Sequence, residues 1–256
     1  MAQPGCGTHC ASDVFDAPFA MAFQPIVDAR AGRVYAYEAL VRGPGGESAA
    51  SILSQVTPDN RHAFDQASRI AAIDTAAKLG FAGGGALLSM NFMPNAIVDP
   101  SACARGAMAA AQRTGIPLDR LIFEFTEGEP VEYGHLSRIL ATNKTLGVRT
   151  AIDDFGAGYS GLTLLAKFQP DLVKLDIELI RDIDSLRVKQ VLVDAMVKAC
   201  AELGVAVVAE GIETPAEYAV LRQMGVDLQQ GFLFARPGLE CLPKPAWPKV
   251  KNAIAA

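Results

Sequence analysis

The chain alternates between short apolar runs and longer segments in which apolar residues recur at helical spacing. The helical spacing is clearest over Ala63 to Leu79 and over Leu186 to Leu203. Eight short runs have the length and apolar content of buried strands, and we predict a strand for each. The eight runs are MAFQPIVDA, RVYAYEALV, ALLSMNF, LIFEFTE, RTAIDDF, LVKLDI, VAVVAEGI and LQQGFLFA. Strands that alternate with helices indicate an α/β fold.

Local signals set the connections between these elements. Thr214 to Glu217 reads T-P-A-E, which predicts a capped helix start. Only Arg30 to Gly32 separate the first two runs, so we expect them to form an antiparallel hairpin. The other runs are far enough apart for parallel crossovers, and 256 residues over eight strands give 32 per strand, the size of a βα unit.

We therefore predict an α/β fold, specifically a (β/α)8 TIM-like barrel with an antiparallel first strand. The alternative is a doubly wound open sheet, which usually carries a glycine fingerprint after an early strand. Gly83 to Gly85 precede a predicted strand instead of following one, which favours the barrel.

Composition narrows the classes of function. Half of the residues are hydrophobic, which excludes general disorder, and the net charge is −5. A basic surface for nucleic acid or anionic lipid is not expected, so we predict no DNA partner and no membrane partner. Since the chain has neither a long apolar span nor an export signal at its start, we expect it in the cytoplasm.

We expect one barrel domain over residues 21–240, with tails over 1–20 and 241–256. The first tail contains Cys6, His9 and Cys10 in the order C-G-T-H-C, which could bind a soft metal or form a disulfide. The second pair of ligands that a zinc site needs is absent, so an ordinary tail is favoured. We expect regulation to come from the tail, from a partner or from dimerisation.

Seven of the eight predicted strands end in a polar side chain. These residues are Glu38, Asn91, Glu124, the pair Asp153 and Asp154, Lys174, Glu210 and Gln230. One polar strand end is ordinary, but a set dominated by carboxylates and amides is not, and in a barrel the carboxyl ends of the strands converge on the active-site face. The sequence therefore predicts one shared polar site.

The side chains in this set indicate a chemistry. Clustered carboxylates repel one another unless cations neutralise them, and an oxygen-only donor set favours Mg²⁺ or Mn²⁺. Adjacent aspartates such as Asp153 and Asp154 suit two ions and in-line phosphoryl displacement. Lys174 could stabilise the attacking hydroxide or the phosphorane charge, or merely balance the carboxylates. Arg42 could bind a substrate phosphate or be an ordinary surface arginine.

Six blocks in the chain match a known pattern. They are Y-E-A-L-V-R from Tyr37, E-F-T-E from Glu124, D-D-F-G-A-G-Y-S from Asp153, D-L-V-K-L-D from Asp171, V-A-E-G-I-E-T from Val208 and Q-G-F-L-F-A-R-P from Gln230. In this order they resemble the signature blocks of the EAL-domain cyclic di-GMP phosphodiesterases, and the resemblance covers Met21 to Pro237.

The resemblance implies hydrolysis of cyclic di-GMP to linear pGpG by in-line attack of a metal-bound water, with two divalent cations, Mg²⁺ or Mn²⁺. It implies metal ligands at Glu38, Asn91, Glu124, Asp153 and Asp154. Lys174, Glu210 and Asp154 would act in catalysis, with the general base left open. The substrate-binding residues implied are Gln24, Arg42, Gln230 and Arg236, and the loop-anchoring residues are Glu127 and Glu213.

The resemblance further implies a homodimer that uses the D-D-F-G-A-G-Y-S loop and the helix after it, and a regulatory protein partner. The sequence departs from the family pattern at two places, of which the first weakens the expected nucleobase or phosphate contacts and neither removes a metal ligand. Gly43-Pro44-Gly45-Gly46 follows Arg42 where many members carry an aromatic residue, and Met93 stands where a small hydroxyl residue is common. The alternative function is a catalytically silent cyclic di-GMP receptor or a protein-interaction scaffold. Another two-metal phosphoesterase on this fold fits the six blocks less well.

Overall fold

The structure is a computed structural model that describes residues 14–97, 99–127, 131–158 and 161–248. Cys6, His9 and Cys10 lie outside the described residues, so the expectations for the first tail stay predictions. In the part of the chain that is described, no helix is both long enough and apolar enough to cross a bilayer.

Nine strands and eight helices occur among the described residues. The strands are β1 (Ala20–Asp28), β2 (Arg33–Arg42), β3 (Leu87–Asn91), β4 (Leu121–Thr126), β5 (Arg149–Phe155), β6 (Leu172–Leu175), β7 (Ala206–Ala209), β8 (Leu228–Gln229) and β9 (Gly238–Leu239). The helices are α1 (Ala49–Leu53), α2 (Arg61–Lys78), α3 (Pro100–Thr114), α4 (Tyr133–Thr145), α5 (Gly161–Lys167), α6 (Ile177–Ile180), α7 (Arg187–Glu202) and α8 (Pro215–Gln223).

Strands β1 to β8 form a closed barrel. Neighbours from β2 to β8 pair in parallel, and β1 closes the ring by pairing antiparallel with both β8 and β2. Closure confirms the predicted (β/α)8 barrel and its antiparallel first strand, and it excludes the open-sheet alternative. The two-residue strand β9 pairs with β1 outside this order.

The interior of the barrel has an apolar layer at one end. Each of the eight strands contributes one residue to this layer. These residues are Ile26, Ala36, Leu87, Ile122, Ala151, Leu172, Val208 and the partly buried Leu228. Since side chains alternate along a strand, the residue two positions away also points inward. On every strand that residue is polar, and this second layer lies toward the carboxyl ends of the parallel strands. The regular register of the barrel thus creates the site.

A larger core lies between the barrel and its helices. Helix α2 contributes Ala72, Ile73 and Ala76, which recur at the spacing of one helix face. The predicted capping box on α8 is confirmed: Thr214 Oγ1 accepts from the Glu217 amide at 3.2 Å, and Glu217 Oε2 accepts from the Thr214 amide at 3.0 Å.

The eighth strand is shorter than its apolar run predicts. Only Leu228–Gln229 are strand, because the backbone after Gln230 turns against the segment that follows β7. The Ile212 amide donates to Gln230 O at 3.0 Å, and the Leu233 amide donates to Ile212 O at 3.0 Å. A Cβ atom on Gly231 would lie 2.0 Å from Ile212 O, so a residue with a side chain would push these segments apart.

Residues after position 240, the expected end of the barrel domain, still contact the barrel. The Tyr37 hydroxyl donates to Pro243 O at 3.1 Å, and the Trp247 ring lies 6.4 Å from the Phe234 ring. Residues between 240 and 247 therefore contact β1, β2 and the segment after β8.

We predict that Ile122→Ala destabilises the protein by about 2–5 kcal/mol, because Ile122 is fully buried in the inner apolar layer and its loss leaves a cavity. Urea denaturation of the metal-free protein measures this change. The control Val188→Ala, at a side chain 72% exposed on α7, should stay within about 0.5 kcal/mol. Equal small effects for both variants would show that the inner layer does not carry this stability.

Candidate functional site

A buried lysine lies at the centre of the polar layer. The side chain of Lys174 on β6 is 1% exposed and contacts four carboxylates. From its Nζ atom the nearest oxygens are those of Glu210 at 2.7 Å, Asp153 at 2.9 Å, Glu124 at 3.2 Å and Glu38 at 3.5 Å. One positive charge thus faces four acids, and the cluster carries excess negative charge when all of them are ionised.

Burial and crowding shift the pKa values of these groups. Burial, opposed by Lys174, raises the pKa of Glu124 to about 8. Burial likewise raises the pKa of Glu210 well above the usual range. Burial and the neighbouring Asp153 raise the pKa of Asp154 to about 6. For Lys174, burial acts to lower the pKa, but the surrounding carboxylates, Asp153 first, raise it well above 10.5. Glu124, Glu210 and Asp154 therefore resist ionisation while Lys174 stays charged.

Two acidic triads share Asp153. In the first, oxygens of Glu38, Glu124 and Asp153 lie within 4.8 Å of one another, and in the second the same holds for Asp153, Asp154 and Glu210. Each triad is a group of acids that could hold a divalent cation, and Asp153 belongs to both groups. The side-chain oxygen Gln230 Oε1 is buried and has no hydrogen-bond donor among the described residues. The donor set is all oxygen, which suits hard ions such as Mg²⁺ and Mn²⁺.

Amide side chains orient Glu38 in the first triad. Gln230 Nε2 donates to Glu38 Oε2 at 2.8 Å, and Asn91 Nδ2 lies 3.5 Å from Glu38 Oε1. Gln24 is the register partner of Glu38 on β1, and its Nε2 donates to Ala235 O at 3.0 Å. These contacts bring Gln24, Asn91 and Gln230 into the same layer as the acids.

The loop after β5 is fixed by Glu127. This buried carboxylate accepts a hydrogen bond from the Gly158 amide, and a Cβ atom on Gly158 would collide with it. The Glu127 amide also donates to Asp153 O at 3.3 Å. Asp154 has φ 52°, in the left-handed region that non-glycine residues seldom adopt, so its carboxylate is held by a strained backbone. Tyr159 and Ser160 of this loop lie outside the described residues.

Three of the sequence-predicted residues lie at the margin of the site. Arg42 Nη1 donates to Val41 O at 2.7 Å, and Arg42 does not line either cleft described below. The Arg236 guanidinium lies 4.1 Å above the Phe232 ring. Glu213 lines the cleft, but its carboxylate pairs with Arg181 at 2.7 Å and not with the loop after β5. Its predicted anchoring role stays a prediction.

Two clefts meet at the acidic layer. One runs past Gln24, Lys174, Glu210, Gln230 and Phe232. The other is more apolar and lies between β2, β3 and α2, with walls formed by Val41, Phe64, Met90, Phe92 and Met93, among others. Both are lined by Glu38, Leu40, Asp153 and Asp154. A ligand centred on the acids would therefore extend in two directions.

One residue of the polar layer, Ser89, was not among the predicted site residues. Ser89 lies two residues before Asn91 on β3, is fully buried, and donates a hydrogen bond from Oγ to Glu124 Oε1. The alternation of side chains along the strand could have identified it. Ser89 lies two residues after the inward-facing Leu87, just as Glu124 lies two residues after the inward-facing Ile122. Asp176, at the end of β6, also lines the cleft.

We predict that the metal-free protein loses stability between pH 5 and pH 8. The pKa of Glu124 rises from 4.5 to about 8 on folding and that of Asp154 from 3.8 to about 6, so the folded state holds protons that the unfolded state releases. Stability is therefore highest at low pH in this window and decreases as each group ionises, by roughly 1–4 kcal/mol in total. Urea denaturation at several pH values measures the slope.

The variant Glu124→Gln should show a shallower slope, since one titrating group is gone. The control Asp119→Asn, at an exposed carboxylate remote from the site, should keep the wild-type slope. Stability that increases from pH 5 to pH 8 in the metal-free protein would contradict the assigned pKa directions.

Comparison with known proteins gives a family. The model for the EAL domain matches residues 15–237. The blue light- and temperature-regulated antirepressor BluF of Escherichia coli (strain K12) is 32% identical over 231 residues, which are 90% of this chain and 57% of BluF. Several other curated relatives are named cyclic di-GMP phosphodiesterase. The chain spans 57% or less of the length of these curated relatives.

Solved structures give the same result. A standalone versatile EAL protein from Vibrio cholerae O395, in a c-di-GMP bound form, has a TM-score of 0.87 at 48% identity, with 91% of this chain and 97% of that chain covered. BlrP1 of Klebsiella pneumoniae, in a manganese/cy-diGMP complex at pH 9.0, has a TM-score of 0.85 at 37% identity, with 91% of this chain and 59% of that chain covered. The predicted resemblance is confirmed, and the chain belongs to the EAL domain family.

Proposed function

We propose that the protein hydrolyses one phosphodiester bond of cyclic di-GMP to give linear pGpG, with two divalent cations, Mg²⁺ or Mn²⁺. The observation that carries the proposal is the pair of acidic triads that share Asp153 beside the buried Lys174. Paired cations at such a site supply positive charge to a phosphate and lower the pKa of water when they are bound. Glu38, Asn91, Glu124, Asp153 and Asp154 are the residues that would hold them.

Relatives support both the substrate and the ion. Several are named cyclic di-GMP phosphodiesterase, and the two structural neighbours described above were solved with c-di-GMP, one of them with manganese. The two clefts that meet at the acids suit a ligand with phosphodiester groups at its centre and a purine on either side. The second cleft has the apolar walls on which a base can pack.

The chain's own residues act at the reacting phosphate as follows. Glu210 accepts the proton of the attacking water, since its carboxylate lines the cleft and lies 2.7 Å from Lys174 Nζ, next to the reacting phosphate. The water oxygen forms a bond to phosphorus while the bond from phosphorus to the ribose 3′-oxygen breaks, and that oxygen takes up a proton from solvent. Lys174 stabilises the charge that develops on the phosphorane.

Lys174 is oriented for this role by the carboxylates around it. Its ammonium is held on several sides by Glu210, Asp153 and Glu124, so little reorganisation is needed when the charge develops. Gln24, Gln230 and Arg236 line or border the same cleft and are the residues that we expect to bind substrate. Arg42 would have to leave its contact with Val41 O to do so.

A regulatory function without hydrolysis is the second candidate. The observation in its favour is that BluF, which aligns with 90% of this chain, is named as an antirepressor. Such a protein would bind cyclic di-GMP and signal to a partner without turnover. The acidic triads and Lys174 are intact here, so we favour the enzyme.

We predict that the purified protein converts cyclic di-GMP to pGpG in Mn²⁺ and that Asp153→Asn lowers kcat/KM by more than about 100-fold. Asp153 belongs to both triads, so its loss affects both ions, and the loss of one charge-stabilising group costs about 10²–10³ in rate. Chromatography of the products over time measures the rate. The matched control Asp119→Asn should retain the wild-type rate.

Binding measured on the same proteins separates the two candidates. No pGpG over a range of metal ions and pH values, together with tight binding of cyclic di-GMP, would sink the enzymatic proposal and favour the receptor. In cells, the output of the receptor would be unchanged by Glu38→Ala if that variant still binds the nucleotide, whereas the output of the enzyme would be lost.

We also propose that the protein forms a homodimer through α5 and the loop before it. Leu162 on α5 is 68% exposed, which leaves a large apolar side chain on this surface. We predict that the wild type is dimeric in light scattering and that Leu162→Asp yields monomers. The control Val14→Asp, at a residue 67% exposed elsewhere, should remain dimeric. A wild-type monomer with full activity would remove this proposal.

A further inference from the structure

We infer that Ser89 is a positioning residue for the first of the two cations: its hydroxyl holds the Glu124 carboxylate in the orientation that the Glu38, Glu124 and Asp153 triad requires. This inference rests on the proposed metal site and assigns a role to a residue outside the two acidic triads.

The register of the barrel places Ser89 inside the site. It is the parallel partner of Glu38 on β2, and Asn91 on the same strand is the partner of Glu124 on β4. Paired residues of neighbouring strands point to the same side, so Ser89 and Asn91 both face the barrel interior. Ser89 is 0% exposed, so its hydroxyl can be satisfied only from within the protein.

The two oxygens of Glu124 have different partners. Oε1 accepts the hydrogen bond from Ser89 Oγ, and Oε2 lies 3.2 Å from Lys174 Nζ. The neutral donor and the cation together fix the plane of the carboxylate. Glu124 is 1% exposed, so water cannot replace the hydroxyl if the serine is removed without a rearrangement of the site.

Two acids of the first triad accept hydrogen bonds from uncharged side chains. Glu38 accepts from Gln230 just as Glu124 accepts from Ser89. The second triad consists of Asp153, Asp154 and Glu210, and no hydrogen bond from Ser89 to any of these three acids exists among the described residues. The loss of the hydroxyl should therefore weaken one ion selectively. Outer-shell donors of this kind typically affect metal affinity by 10- to 100-fold.

The experiment is a titration of the whole protein with Mn²⁺ alone, without nucleotide, followed by electron paramagnetic resonance of the free ion. We expect two ions for the wild type. In Ser89→Ala, we expect one of the two dissociation constants to rise about 10-fold and the other to change by less than about twofold. Hydrolysis should show the same asymmetry: kcat recovers at saturating Mn²⁺, whereas the Mn²⁺ concentration for half-maximal rate rises.

Two further variants guard against a purely structural effect. Ser89→Cys keeps a side chain of similar size but is a poor donor, so it should also weaken one ion. Thr150→Val removes a buried hydroxyl at the opposite end of β5, where Thr150 Oγ1 lies 3.3 Å from Asp171, and should leave both constants unchanged. Thermal melts of all variants check that each is folded.

The outcomes are distinct. Wild-type affinities in Ser89→Ala and Ser89→Cys would overturn this inference, and so would an equal loss at both ions or a similar loss in Thr150→Val. A wild type that binds no Mn²⁺ would instead overturn the proposed function. A wild type that binds two ions but yields no pGpG would leave the role of Ser89 testable by the titration.

Discussion

The contact between the Lys174 ammonium and the carboxylates around it is the interaction on which the polar layer depends. A buried lysine beside a single acid would be an ordinary ion pair, but here four acids converge on one cation. Without the lysine, the acids would be uncompensated in a place with little water. With it, one positive charge still faces four acids, and burial keeps the pKa values of Glu124 and Glu210 raised. The same cluster is therefore a cost to the fold and the source of the chemistry.

The barrel makes this concentration of charge tolerable by its construction. Each strand supplies a small or branched apolar residue to the inner layer, and the polar residue two positions on is carried above it. Strand β1 runs in the opposite direction, so its inward polar residue comes before its inward apolar residue. Ile26 lies in the apolar layer, and Gln24 lies beside Glu38. The apolar layer stabilises the closed sheet, while the charged layer above it faces the clefts.

Much of this arrangement was accessible from the sequence. Alternation along the strands and polar residues at their ends predicted the barrel, the acids and Lys174 at one face, because these depend on local pattern and on closure alone. Other features depend on contacts between distant segments. The early end of β8 follows from the approach of Gly231 to Ile212, and the pairing of Glu213 with Arg181 follows from the packing of the loops after β6 and β7. Ser89 was missed because the expectation of one polar residue per strand end is already met by Asn91 on the same strand.

The two triads differ in what holds them. Glu38, Glu124 and Asp153 come from three different strands, so the register of the barrel sets their separations. Asp154 of the second triad comes directly after Asp153, the last residue of β5 that points inward, and Asp154 has a left-handed backbone. The segment after Asp154 is held by the hydrogen bond from the Gly158 amide to Glu127. A small displacement of that loop would move Asp154 while Glu38 and Glu124 stayed in place. The separations within the first triad therefore depend on the barrel register alone, whereas those within the second depend also on one loop.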